Sequence, residues 1–208
     1  MTAMTDHTQR NYKAFTEAYD FFNAELFAGE LPKCLVTFQR QRRAFGYFWA
    51  DKFADASDGA AVDEIAMNPQ LFEGRTHQQT LSTLVHEMAH LWQHHYGSAS
   101  RNGYHNKEWG SKMLEVGLHP SDTGTPGGRK TGQQMSHYIL EGGPFATSCE
   151  KLLDSGFQIP YFENQRNRTS TTSQDKVRFM CPSCRSIAWG KPALKLLCGE
   201  CVLDMTRA

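Results

Sequence analysis

Hydrophobic positions along the chain switch between helical and strand-like spacing, and their order predicts a layered α+β protein. Residues 11–28 place Phe15, Tyr19, Phe22 and Leu26 on one helical face. Gly29, followed by Leu31-Pro32, ends that helix. Three strand-like runs follow, Cys34 to Phe38, Ala44 to Ala50 and Val62 to Asn68. The acidic, small-residue stretch from Asp51 to Gly59 reads as a loop or hairpin tip between the last two. From Thr80 to His95, Leu81, Leu84, Val85, Met88, Leu91 and Trp92 form a 3.6-residue stripe on a second helix. Trp109, Met113, Leu114 and Leu118 continue the pattern on a third, and Ser136 to Leu140 is strand-like again. This order predicts a small, mostly antiparallel sheet packed on the second helix. Phe45, Tyr47, Phe48 and Trp49 are expected to pack in the core and on the sheet face. Residues 164–175 read as a polar linker. The glycine-rich stretch Ser121–Gly132 is not a phosphate loop, because Arg129 separates Gly128 from Lys130. A surface loop is the expectation there.

The second helix carries His86-Glu87-Met88-Ala89-His90. Side chains four apart leave one helix face about 6 Å from each other along the axis, so both imidazoles can close on one metal ion. Zn²⁺ takes such nitrogens at roughly 2.0–2.1 Å. Glu87 stands one step round the helix, where a general base for an attacking water belongs. A third ligand has to return from another segment. His94 lies two turns beyond His86, about 12 Å along the axis, too far to share its metal, and His95 points elsewhere. The turn through Gly97, Ser98, Ser100, Asn102 and Gly103 brings the chain back to His105, which opens the third helix and is the chosen ligand. Glu108 and Glu115 stay open as alternatives, since two histidines and a glutamate also make zinc sites. The metzincin pattern fails, because Gln93 and Tyr96 stand where its glycine and third histidine are needed.

A second signal lies near the end of the sequence given. Cys181-Pro182-Ser183-Cys184 and Cys198-Gly199-Glu200-Cys201 are two C-x-x-C knuckles. Each offers two thiolates to one side of a metal, and together they complete a closed tetrahedral Cys₄ site for a structural zinc. The module is too small to bury a core of its own, so the metal is expected to hold it together. Lys176, Arg178, Arg185, Lys191, Lys195 and Arg207 outnumber Asp175, Glu200 and Asp204 there. With Phe179 and Trp189 they suit single-stranded or junction DNA through phosphate contacts and stacking. The same composition also serves solubility alone, and both readings stay open.

The run from His86 to Gln93, then His105-Asn106-Lys107-Glu108-Trp109, resembles the SprT-like metalloproteases: H-E-x-x-H on a helix, a histidine opening the next helix, and a large apolar residue four positions later. Asp63-Glu64-Ile65-Ala66-Met67-Asn68-Pro69 is similar to the strand before that family's active-site helix, and the four-cysteine ribbon is similar as well. The resemblance implies a zincin-like metalloprotease domain over residues 10–165, with 120–165 unmatched, and a zinc ribbon over 176–206. It also implies one catalytic and one structural Zn²⁺, and proteolysis of DNA-associated or DNA-crosslinked proteins.

Composition narrows the setting. The 208 residues carry 22 basic and 22 acidic side chains, so bulk charge gives no attraction to polyanions. No signal peptide and no span-length apolar run is evident. The expectation is a cytoplasmic protein, with nucleoid association left open, and with Cys34 and Cys149 as ordinary buried or half-buried thiols. The expected activity is zinc-dependent endopeptidase action on extended or unfolded protein segments. Two alternatives remain: a DNA-binding or adaptor protein whose metal sites are structural, and an amidase or deformylase using the same chemistry.

Overall fold

The computed structural model of the chain describes residues 6–42, 44–163 and 176–207. They belong to two compact units, residues 1–164 and 165–208. The expected linker at 164–175 lies outside the described residues, apart from the unit boundary it contains.

In the first unit, α1 (His7–Leu26) starts where the Asp6 side chain accepts from the Gln9 N–H. Phe15, Ala18, Tyr19 and Phe22 are its buried stripe. Buried Asn23 closes the turn after it, exchanging two hydrogen bonds of 3.0 Å with the backbone of Leu31. Strands β1 (Leu35–Phe38), β2 (Gly46–Ala54) and β3 (Ala61–Met67) then form a sheet in the order β1-β3-β2. β2 pairs antiparallel with β3, as expected, but β1 pairs parallel with it. The main sheet is therefore mixed, a correction to the mostly antiparallel expectation. The hairpin β2–β3 fills one side of β3, and β1 reaches the other side running in the same direction.

β2 also runs further than its residues suggest. Its register shifts between Trp49 and Phe53, and Asp51 sits at a φ of 51° within that bulge. The Asp51 N–H is taken by the buried Asp63 carboxylate at 2.8 Å, so an acidic residue that reads as loop continues the strand. The tip shrinks to Asp55–Ala60, held by Gly59 N–H to Asp55 O and Asp55 N–H to Ala60 O.

α2 (His77–Tyr96) begins with a capping box: Thr76 accepts from Gln79 N–H, and the Gln79 side chain accepts from Thr76 N–H. It packs on β2 and β3 and against α1, α3 (Lys107–Glu115) and α4 (Pro144–Asp154). Helices and sheet surround it so fully that Ser82, Thr83, His86, Glu87 and Gln93 are buried along with its apolar stripe. A helix buried all round while keeping polar groups must satisfy them internally. α3 ends at Glu115, and Leu118 belongs to strand β4 (Leu118–Ser121) instead of the helix. Gly117 makes the break at a φ of 88°. β4 pairs antiparallel with β5 (Ser136–Ile139).

α4 was not expected, although Pro144 at its first turn and buried Phe145, Cys149 and Leu152 at helical spacing are visible in the sequence. The core joins these elements through Phe15, Phe22, Leu84, Met88, Trp109, Met113 and Phe145. Phe45, just before β2, and Trp49 on it depart from the expected packing and are 45% and 54% exposed.

In the second unit, β6 (Val177–Met180) pairs antiparallel with β7 (Ile187–Gly190) and with β8 (Thr206–Arg207). Its buried residues are Phe179, Cys181, Gly190 and Cys198, so Phe179 packs inside the unit and does not offer the stacking surface expected of it. Such a small core cannot hold a fold by apolar burial alone.

Trp109 is among the largest fully buried side chains. Trp109→Ala is expected to lower the unfolding free energy of the first unit by about 3–5 kcal/mol, the cost of an aromatic-sized cavity. Urea unfolding measures it, and a loss below about 1 kcal/mol would contradict the packing described.

Candidate active site

α2 presents His86 and His90 on one face, one turn apart, and His105 comes to them from the segment before α3. One ligand atom from each lies within 4.8 Å of the others, the spacing of a group able to hold a metal ion. His90 Nε2 and His105 Nε2 are 3.0 Å apart. Two ligands of a tetrahedral zinc stand roughly 3.3 Å apart, so the pair is near that separation. His105 is fixed by its backbone, which bridges Gly132 through His105 N–H to Gly132 O at 2.9 Å and Gly132 N–H to His105 O at 3.1 Å. Its Nδ1 also lies 3.1 Å from Gly132 O, which sets a hydrogen there and leaves Nε2 as a lone pair.

A polar brace holds the turn that returns His105. Gln93 Nε2 donates to Asn106 Oδ1 and Glu108 Oε2, both at 2.7 Å, and Ser98 N–H donates to the same Glu108 oxygen. Asn106 caps α3 by accepting from Trp109 N–H. Glu108 is thus occupied in the brace, where the Gln93 hydrogen bond holds its pKa below the usual carboxylate range. Glu115 pairs with Lys112 at 2.7 Å. Neither glutamate joins the group of His86, His90 and His105.

Trp109 packs against all three imidazoles, with ring centroids 4.9, 5.2 and 4.4 Å from His86, His90 and His105. Burial drives these rings toward the neutral form. His86 is held well below its ordinary pKa, His90 is pushed down to about 3, and His105 is lowered as well. Neutral imidazole is the ligating form. Glu87 lies beside them, also buried, and burial pushes its carboxyl up to about 8 while a hydrogen bond from the Phe48 backbone opposes the shift. Gly46 leaves room for it: a Cβ there would meet Glu87 Oε1 at 3.3 Å and Ala66 O at 2.9 Å. The site opens into a cleft of about 990 Å³ whose walls include Tyr47, Trp49, Tyr104 and Met135.

His94 and His95 are outside this group, as the helix geometry requires. His95 Nε2 bonds Asp63 Oδ2 at 2.7 Å and ties the end of α2 to β3. Tyr138 stacks on His119 and is not at the site. His137 is a different matter. It is half-buried, and its Nδ1 sits 3.0 Å from His86 Nδ1. Sequence reading could place His137 on a strand but had no means of aiming that strand at α2. Arg75 stacks on Phe45 and reaches Thr83 Oγ1 at 3.0 Å, a contact with no periodic signal at all.

In the second unit, the Sγ atoms of Cys181, Cys184, Cys198 and Cys201 all lie within 4.8 Å of one another. Cys184 Sγ and Cys198 Sγ are 3.6 Å apart, close to the roughly 3.8 Å of two thiolates on a tetrahedral zinc. The knuckles repeat one backbone turn. Arg185 N–H bonds Cys181 O and Val202 N–H bonds Cys198 O, and both Arg185 and Val202 take positive φ, 60° and 53°. That conformation is costly for β-branched Val202 and persists only where surrounding groups impose it. Four thiolates drawn to one ion would do so. The hydrogen bond with Ser186 brings the Cys184 thiol down to about 6. Cys34 and Cys149, by contrast, are pushed up to about 12 and about 11 by burial and behave as unreactive thiols.

These shifts give the metal-free protein a defined pH dependence. A histidine whose folded pKa lies below its ordinary 6.5 binds its proton more readily when unfolded, so its stabilising contribution is present above 6.5 and lost as pH falls. Glu87 works in the other direction: its contribution is present below 4.5 and is lost as pH rises towards about 8. Stability is therefore expected to peak near pH 6.5 and to fall on both sides. Urea unfolding of the metal-free protein should show Glu87→Gln removing the decline between pH 6.5 and 8, and His90→Gln making the acid limb shallower. Unchanged slopes in both variants would contradict the burial of these groups as described.

Comparison with known proteins places this geometry in a family. Residues 15–130, more than half of the chain, match the SprT-like family, and they include His86, Glu87, His90 and His105 but neither His137 nor the cysteine cluster. A Salmonella typhimurium protein described as "Uncharacterized protein in mucB 3'region" is 47% identical over 58 residues, 28% of this chain and 78% of that protein. No solved structure matches the chain at a significant level. Among the described residues, no helix is long and apolar enough to cross a membrane. The match over residues 15–130 settles the family: this chain belongs to the SprT-like family, a metalloprotease-related group.

Proposed function

We propose that this protein is a zinc-dependent endopeptidase that cuts extended segments of other proteins, with DNA-associated or DNA-crosslinked proteins as its substrates. The observation that carries this reading is the meeting of three neutral imidazoles beside one buried carboxylate at an open cleft. His86, His90 and His105 would hold the catalytic Zn²⁺. Three protein ligands leave a coordination position open, whereas closed structural sites use four. The bound ion supplies Lewis acidity to the scissile carbonyl and lowers the pKa of water to near 7.

Glu87 does the proton work. Its carboxylate takes a proton from the attacking water and returns it to the leaving amine nitrogen. Burial alone would keep it protonated near neutral pH, and a cation alongside favours the ionised form the base requires. The Phe48 N–H orients the carboxylate from β2. β2 is an edge strand of its sheet and borders the cleft, so an extended peptide can add to it as a further strand. Backbone pairing reads conformation more than sequence, which makes disorder in the substrate the condition for cleavage.

Cys181, Cys184, Cys198 and Cys201 would hold a second, structural zinc. Its unit displays Trp189, 64% exposed, with Arg178, Lys191 and Lys195 in the same small module. This supports single-stranded DNA as its partner, through base stacking and phosphate contacts.

Glu87→Gln is expected to lower turnover of an unfolded protein substrate by at least about 100-fold while zinc content is unchanged. Wild type should carry two zincs, His90→Ala and Cys181→Ser one each. Equal turnover in Glu87→Gln would sink the enzyme reading, and a single zinc lost only with the cysteines would favour a DNA-binding adaptor. For the ribbon, Trp189→Ala should weaken binding of a single-stranded oligonucleotide by about 1–3 kcal/mol, and affinity should fall steeply with salt. Binding indifferent to both would remove DNA as the partner.

A further inference from the structure

β5 brings His137 against α2, where its two ring nitrogens meet two different partners. Nδ1 lies 3.0 Å from His86 Nδ1, and Nε2 lies 2.9 Å from Ser82 Oγ. Ser82 determines where the hydrogens are. Its hydroxyl donates to Gln79 O at 2.9 Å, one turn back along α2, so its oxygen is left to accept. His137 Nε2 therefore carries the hydrogen directed at Ser82. The contact between the two Nδ1 atoms holds a single hydrogen, because two N–H groups or two lone pairs facing each other repel. If His137 supplied it, His137 would be an imidazolium, and His86 would have to keep its own hydrogen on Nε2. His86 would then have no lone pair left for a metal, since its Nδ1 accepts and its Nε2 carries the hydrogen. If His86 supplies it, every group is neutral and every hydrogen has an acceptor.

We infer that His137 is a positioning residue: it accepts from His86 Nδ1–H and so fixes His86 in the tautomer and ring orientation that leave Nε2 free to ligate. A chain of hydrogen bonds results, from His86 Nδ1–H to His137 Nδ1, from His137 Nε2–H to Ser82 Oγ, and from Ser82 O–H to Gln79 O. Gly132 O does the same for His105 through its Nδ1. Two of the three proposed ligands are thus oriented by the segment 132–137, which follows the residues matched by the family. Partners of this kind set which ring nitrogen is available and raise the basicity of the ligand. The inference rests on the proposed zinc reading and adds a residue to it.

Zinc affinity tests it, measured by competition with a chromogenic chelator on the full chain, with His90→Ala identifying the histidine site. His137→Ala removes the acceptor and is expected to weaken that site by about 10–100-fold, leaving the cysteine site unchanged. His137→Asn keeps an acceptor oxygen close to the position of Nδ1 and should restore most of the affinity. Ser82→Ala, which leaves His137 Nε2–H unpaired, should fall between them, and it serves as the test if His137→Ala does not fold. Long-range ¹H–¹⁵N spectra should show a hydrogen on His86 Nδ1 in wild type and in His137→Asn.

Wild-type affinity in both His137→Ala and Ser82→Ala would overturn the inference. So would lost turnover at unchanged zinc affinity, which would instead put His137 in contact with substrate. A hydrogen on His86 Nε2 would overturn it as well. A wild-type chain holding one zinc, retained in His90→Ala, sinks the zinc reading itself, and the spectra then still decide the His86–His137 hydrogen bond.

Discussion

The packing of Trp109 against three imidazoles is the contact on which the site depends. Its ring touches His86, His90 and His105 at once and is itself fully buried among the helices. An indole in that place keeps water away from the rings on one side, which holds them neutral and limits the rotamers open to them. The helix already spaces His86 and His90, but it cannot bring a third group from another segment. Trp109 does this by sitting one turn into α3, so that burying it draws His105 inward. Fold stability and ligand placement are therefore one event.

The polar face of α2 shows how a buried helix can carry chemistry. Several buried polar groups there are drawn into specific contacts: Gln93 with Asn106 and Glu108, Ser82 with Gln79 and His137, Glu87 with the Phe48 backbone. Burial raises the cost of any unpaired member, so the partners hold one another in place. It also separates the protonation states, lowering the histidines and raising the glutamate. Neutral imidazoles and a buried carboxylate thus share one environment and one physical cause. The cysteine cluster follows another logic, since its unit has little core and two strained turns, and its side chains converge where an ion would supply the missing cohesion.

Much of this was legible in the residues, for reasons that are local. The i,i+4 histidines follow from helix geometry, the knuckle cysteines from ligand spacing, and the α1 and α2 stripes from periodicity. His105 followed from the need for a return segment after a turn. What the sequence concealed was long-range or irregular. The β2 bulge interrupts alternation and is stabilised by Asp63, twelve positions away from Asp51. The parallel β1–β3 pair leaves no mark in either strand, because register and direction are set by what each strand meets. The helix α4 is marked locally as well, by Phe145, Cys149 and Leu152 at helical spacing.

The sequence by itself determined which side chains can bind metal and which helix carries them, because those properties depend on residue type and on neighbours within one turn. Only tertiary structure decided that Glu108 is consumed by a brace, that Trp109 is the surface the imidazoles share, and that His137 faces His86. The Gln93–Glu108 and His86–His137 contacts join residues 15 and 51 positions apart, and their geometry comes from packing several elements into one volume.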